Sequence, residues 1–291
     1  MKENIFKLST VQLKEIALDL QQKVEKGLNH EKTEIQCIPT YIKPKTLGVE
    51  GQATVLDLGG TNYRASVVSF NEGAIDIYPE DGWSKDLSIM KTKGFTEKDL
   101  FEQQASFLKD LKIPAKSPIG YCFSYPAECL PDGDAKLLRW TKGVDIPEML
   151  DQPIGKPLKE FLNEQGPVEF TAVKVINDTV ASLFAGLSDS SYDAYIGLIV
   201  GTGTNMATFI HSDRIGKLDK SLNWQGLTPI TWSQETTVRC ILQLSTTRSM
   251  LPQVRRVLNV LKKPFQVCTS EKYSPLSSPE MVSMNHSMPN P

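Results

Sequence analysis

The chain has 291 residues, 40% hydrophobic and 23% charged, enough for one large or two medium domains with a sizeable core. A formal net charge of −2 and a pI near 6.0 argue against a broad basic surface that would hold nucleic acid by phosphate neutralisation. Five cysteines form no C-x-x-C pair and only three histidines are present, so no structural zinc site is expected, and the thiols read as free and buried in a reducing cytosol.

Residues 9–28 place Val11, Leu13, Ile16, Ala17, Leu20 and Val24 at helical spacing behind Ser9 or Thr10 as N-cap, so one long amphipathic helix opens the chain. That N-terminus is charged and lacks a continuous apolar segment. No run in the sequence is long enough to cross a bilayer, which points to the cytoplasm and to no membrane partner. The Pro-rich stretch from about 37 to 50 reads as a connector. The runs "ATVLDL" and "RASVVSF" then read as strands on either side of Gly59-Gly60. Helical patterns near 96–111 follow, then a strand-like "PIGYCFSYPAE", a polar loop "PDGDAKLLRWTKG" and a helix around 155–164. Next come "VKVINDTVASLFAGL", a strand feeding a helix, and "AYIGLIVGTGTNMATFI", a strand, a turn and a second strand. Alternating strands and helices favour an α/β protein with mixed sheets.

"VLDLGGTNYR" carries a phosphate-cradle chemistry. Gly59 and Gly60 let backbone N–H groups approach an anion, Thr61 and Asn62 add neutral donors, and Arg64 adds a fixed positive fork. "IGLIVGTGTNMATFI" repeats the device about 142 residues later, setting Gly59 against Gly201. Either turn alone reads equally well as an ordinary hairpin; the repetition favours two related halves that each offer a glycine turn to a nucleotide between them.

Beyond Gly226 the character of the chain changes. Residues 227–291 hold neither glycine nor aspartate, and the end of the chain is rich in Pro, Ser, Thr and Met. Only about 239–261 has a helical pattern, and "SEKYSPLSSPEMVSMNHSMPNP" reads as disordered.

With "LDLGGTNYR", "FSYPAE", "LLRWTKG", "VINDTVASLFAG" and "GLIVGTGTN" in that order, the sequence resembles the hexokinase family from about residue 5 to 230. The resemblance implies an α/β, actin-like ATPase (ribonuclease H-like) fold, in which a small and a large domain close over a sugar. It also implies phosphorylation of a hexose, glucose foremost, at the 6-hydroxyl by ATP with Mg²⁺, the first step of glycolysis. Residues 1–44 would belong to the large domain, 45–176 would form the small domain, 177–230 would begin the large domain, and 231–291 would be an aberrant tail. Asp178 matches the catalytic base; read from its own surroundings it serves equally well as a helix N-cap. Ser124, Thr141, Lys142, Asn177, Asp178 and Asn205 match positions that bond sugar hydroxyls. Gly59, Gly60, Thr61, Asn62 and Arg64 match the first phosphate motif, and Gly201, Thr202, Gly203 and Thr204 the second. Asp57 matches a position that holds Mg²⁺ through water, or else it orients the turn.

The resemblance is lost near Ile230, where "TWSQET" stands in place of a family stretch such as "NLESGN". One set of codons for these six residues, regrouped by one base, encodes the family stretch. A one-base deletion near Ile230 would therefore explain the loss and leave the large domain incomplete. Glucose-dependent ADP formation is then expected only once the reading frame is restored, and a non-catalytic sugar-binding or regulatory fragment is the alternative.

Overall fold

The computed structural model describes residues 9–30, 32–43, 50–60, 62–71, 74–187, 194–200 and 204–233. Helix α1 spans Thr10–Asn29, and Ser9 is its N-cap. The Ser9 hydroxyl accepts from the Gln12 N–H at 3.2 Å while the Gln12 side chain accepts from the Ser9 N–H at 2.9 Å, a reciprocal pair that satisfies two of the first-turn donors. Strand β1 is short, Ile38–Pro39, and lies inside the expected connector. Then follow β2 (Gly51–Leu58), β3 (Asn62–Asn71) and β4 (Ala74–Asp86). Helix α2 (Glu97–Leu108) is capped by Thr96 in the same reciprocal manner, with Asp99 as its partner. Strand β5 (Lys116–Phe123) precedes the small ladder of β6 (Ala127–Cys129) and β7 (Ala135–Leu137).

Helix α3 (Gly155–Gln165) has no capping side chain of its own at its N-terminus. Buried Asp134 takes that role from a distance: its carboxylate accepts from the N–H groups of Gly155 at 2.7 Å and Lys156 at 2.8 Å. Strand β8 (Glu169–Ile176) runs directly into α4 (Asp178–Gly186), and β9 (Ile196–Val200), β10 (Thr204–His211) and β11 (Leu227–Ser233) complete the described elements.

Two sheets, one mixed and one antiparallel, organise the described residues. The first has the order β4-β3-β2-β5-β8, with β2, β5 and β8 parallel and β3 and β4 antiparallel to their neighbours. Toward the site its strands alternate: Leu56, Leu58, Tyr63, Ala65, Ile119, Tyr121, Phe123 and Val175 are buried in the main core with α2 and α3. The intervening residues, Asp57, Arg64 and Cys122 among them, are half-buried and belong to the opposite face.

The second sheet has the order β1-β11-β10-β9 and carries α1 on one side and α4 on the other. Met206, Ile210, Ile230 and Trp232 pack with Leu20, Val24 and Leu28 of α1. Ala207 and Phe209, on the alternate positions of β10, pack with Val180, Leu183 and Phe184 of α4. Gly197 permits the close approach of α4, since a Cβ there would stand 2.4 Å from the Thr179 carbonyl oxygen and 2.8 Å from the Leu183 nitrogen.

Strand β11 passes through Ile230, pairing Thr231 with Ala207 and burying Trp232 to 8% exposure. Strand β11 thus runs across the boundary expected between 230 and 231, and the ladder with β10 and the α1 core hold Thr231 and Trp232 in place. The tail expected to be disordered lies, from residue 234 onward, outside the described residues, as does the helical pattern at 239–261.

Candidate active site

The half-buried face of the first sheet builds the site. Strand register sets Arg64 opposite Asp57, Asp57 beside Cys122, and Cys122 beside Ile176. This row crosses four strands and leads along β8 into Asn177 and Asp178. The parallel strands β2, β5 and β8 all finish here, at the C-terminal edge where α/β sheets open their ligand crevices.

Within the row Arg64 Nη1 donates to Asp57 Oδ2 at 2.9 Å, with both side chains about one-third exposed. The sequence marks Cys122 only as one of five buried thiols. It is half-buried by surface, yet its thiol is crowded by neighbouring atoms. That desolvation pushes its pKa well up, the charges of Asp57 and Asp178 push it further, and a hydrogen bond from Ser124 opposes the shift. Cys122 therefore stands as a neutral thiol between the two carboxylates. The signal that places it is the cross-strand register with Asp57, which the sequence alone does not carry.

The first glycine turn is held from three directions. Gly59 N–H donates to the Asn62 carbonyl at 2.9 Å, Ser124 N–H donates to the Leu58 carbonyl at 3.1 Å, and the Tyr125 hydroxyl donates to the Gly59 carbonyl at 3.0 Å. Lys142 reaches in from the loop that follows β7. Its Nζ donates to the Ser124 carbonyl at 2.6 Å and stands 4.9 Å from the centre of the Tyr125 ring. Trp140 supports this arrangement, packing edge-on to Tyr125 at 4.8 Å and donating its indole N–H to the Ile146 carbonyl at 2.8 Å. Lys142 is exposed as a whole residue, but its ammonium loses enough hydration to hold its pKa below the ordinary lysine value. Asp178, Asp57 and Cys122 oppose that shift, so these groups act on one another across the site.

Asn177, not Asp178, is the N-cap of α4: its side chain accepts from the Thr179 N–H at 2.9 Å. Asp178 is the first residue of the helix. Its Oδ1 accepts from the Thr179 N–H at 2.8 Å and from the Thr179 hydroxyl at 3.3 Å, which fixes how the carboxylate is turned. Thr141 is half-buried and starts the turn that presents Lys142, its carbonyl accepting from Val144 N–H at 3.2 Å. Asn205 lies in the second sheet, paired across to Ile199 and Ser233, on the β10 positions that face α4. Thr204 opens β10. Thr61, Gly201, Thr202 and Gly203 lie outside the described residues, so the site as built rests on the first glycine turn and not on the second.

No group of three or more His, Cys, Asp or Glu among the described residues is arranged to hold a metal ion. The donor set at the first turn is the single carboxylate of Asp57, already shared with Arg64. It suits a Mg²⁺ ion held mainly by phosphate and water, not one caged by protein. Among the described residues no helix is long and apolar enough to cross a membrane.

A mixed and an antiparallel sheet, joined by a strand that passes into a carboxylate-bearing helix, with a glycine hairpin at the parallel strand ends, define the actin-like α/β fold. A family profile described as hexokinase matches residues 2–187. The chain is 31% identical to rat hexokinase-3 over 207 residues, covering 69% of this chain and 22% of the rat protein. It is 33% identical to glucokinase-1 of Kluyveromyces lactis over 219 residues, covering 67% of this chain and 46% of the yeast protein. Among solved structures it superposes with a TM-score of 0.63 and 29% identity on the glucose-complexed hexokinase of Schistosoma mansoni, covering 79% of this chain and 52% of that one. The chain belongs to the hexokinase family. It spans between about a fifth and a half of the length of these relatives.

Proposed function

We propose that this site takes part in phosphoryl transfer from ATP to the 6-hydroxyl of a hexose, glucose foremost, with Asp178 as general base. The observation that carries the reading is the convergence of Asp57, Lys142 and Asp178 around the ends of β2, β5 and β8. A polyol needs both donors and acceptors: Lys142 donates, Asp178 accepts, and Ser124, Thr141, Asn177 and Asn205 can do either. The glucose in the Schistosoma hexokinase structure supports assigning that substrate class here.

Asp178 suits a base because its bonds to Thr179 fix the carboxylate before substrate arrives. Lys142, partly desolvated, places a positive charge within reach of the same hydroxyls and of a transferring phosphoryl group. The backbone of Gly59, Gly60, Thr61 and Asn62 and the guanidinium of Arg64 form the first phosphate grip, and Gly201, Thr202, Gly203 and Thr204 the second. Asp57 would hold Mg²⁺ through water, and the ion, when bound with ATP, would supply neutralisation of the phosphate charge. The small domain is assigned to 45–176 and the large domain to 1–44 with 177–230, as the separate sheets and the packing of α1 on β10 and β11 support.

Calorimetry with glucose and a coupled assay of ADP formation test the reading on two proteins, the 291-residue chain and a version whose reading frame is restored near Ile230. Glucose binding is expected in both. In the frame-restored protein Asp178→Asn should leave glucose affinity within about threefold and lower glucose-dependent turnover by about a hundredfold or more. Unchanged turnover with weakened binding would assign Asp178 to substrate binding alone. Glucose binding with no turnover in either protein would select the non-catalytic sugar-binding reading.

A further inference from the structure

We infer that Gly60 is a positioning residue for Lys142: the space left by its missing side chain is the seat of the lysine stem, so the glycine turn sets where the ammonium stands. The inference rests on the reading of Lys142 as a sugar-site residue and deepens it. A Cβ at residue 60 would lie 2.4 Å from Lys142 Cδ, 3.3 Å from its Cγ and 3.4 Å from its Cβ. The first of these is far inside van der Waals contact, so any side chain at 60 must displace the middle of the lysine stem.

That displacement cannot be absorbed freely, because the lysine is held at both ends. At the backbone end Lys142 has φ +61°, a left-handed conformation that a non-glycine residue adopts only at a cost of about 1 kcal/mol. Gly143 follows with φ +81°. At the far end Nζ donates to the Ser124 carbonyl and stands over the Tyr125 ring. Tyr125 in turn donates its hydroxyl to Gly59, the neighbour of the residue on which the stem rests. The contacts close a ring through Gly59, Gly60, Lys142 and Tyr125. Gly60 therefore has a role beyond letting phosphate approach the backbone, and its substitution should be felt at the sugar.

A double-mutant cycle on the 291-residue protein tests this, with glucose affinity and thermal midpoint measured for the unaltered chain, Gly60→Ala, Lys142→Ala and the pair. Gly60→Ala should weaken glucose binding about tenfold when Lys142 is present, the scale of one charge-assisted hydrogen bond to the sugar. In the Lys142→Ala background the same change should alter affinity by no more than about twofold. The fall in Tm caused by Gly60→Ala should likewise shrink once the stem is gone. Equal effects in both backgrounds, or no effect in either, overturn the inference. If the unaltered chain binds no glucose, the sugar-site reading fails, and the Tm cycle alone decides whether the stem rests on Gly60.

Discussion

The two sheets differ in how completely their apolar faces are covered. The β4-β3-β2-β5-β8 sheet lays one face on a single continuous core, where Leu58, Tyr121 and Phe123 are essentially inaccessible to solvent. The β1-β11-β10-β9 sheet is covered by α1 and α4 over β10 and β11, but on β9 Ile196 is 64% exposed and Leu198 40%. Both residues pair across to the row of β10 that α1 covers, Ile196 with Thr208 and Leu198 with Met206. A repeated strand-turn-strand device is thus not covered equally in its two copies. The first copy is fixed by the core beneath it, and the second by the two helices that happen to lie over it.

Unfolding measurements can break or sharpen that contrast. The largest effect is expected for Phe123→Ala, which should cost about 3–5 kcal/mol in urea unfolding because it empties a fully packed site beneath the row of polar residues. The core between the second sheet and α1 can be probed through pH. Burial pushes the Cys37 thiol from its ordinary 9.0 up to about 11, with Lys217 opposing, and Cys37 lies in the α1 core. Below pH 9 the thiol is protonated in folded and unfolded chains alike. Above it the unfolded chain releases its proton first, so stability falls as pH rises toward 11, by about 2 kcal/mol from this group. The unaltered protein should therefore lose about that much more stability over the interval than Cys37→Ala.

Ser9→Ala removes the reciprocal cap of α1 and should cost about 1 kcal/mol, again read by urea unfolding. Smallest of all, Ile196→Ala should change stability by less than about 0.5 kcal/mol, as its side chain is largely in water. A cost for Ile196→Ala approaching that of Phe123→Ala would erase the distinction between the sheets.

Much of the first sheet is legible in the sequence because its strands alternate. Leu56 and Leu58 flank Asp57, and Tyr121 and Phe123 flank Cys122, so the period itself separates core from site. β4 is hidden because Pro79, Glu80, Asp81 and Gly82 interrupt its middle with residues that normally punctuate turns. The family resemblance singles out Lys142 and Asp178, but local pattern does not: Lys142 reads as a surface charge, and Asp178 yields the cap to its neighbour Asn177. Cys122 is not distinguishable at all, since its place between carboxylates depends on which strands pair and in what register.

The passage from β8 into α4 has a mechanical consequence. β8 is an edge of the first sheet and α4 packs on the second, so Ile176, Asn177 and Asp178 form a joint between them. In a rotation of one sheet against the other about an axis through this joint and along β8, displacement grows with distance from the axis. Arg64, three strands away, stands on a lever arm of roughly 14 Å at about 4.8 Å per strand. Asp178 stands almost at the fulcrum. The carboxylate at this joint would thus keep its position while the arginine at the far end of the row swept the longest arc.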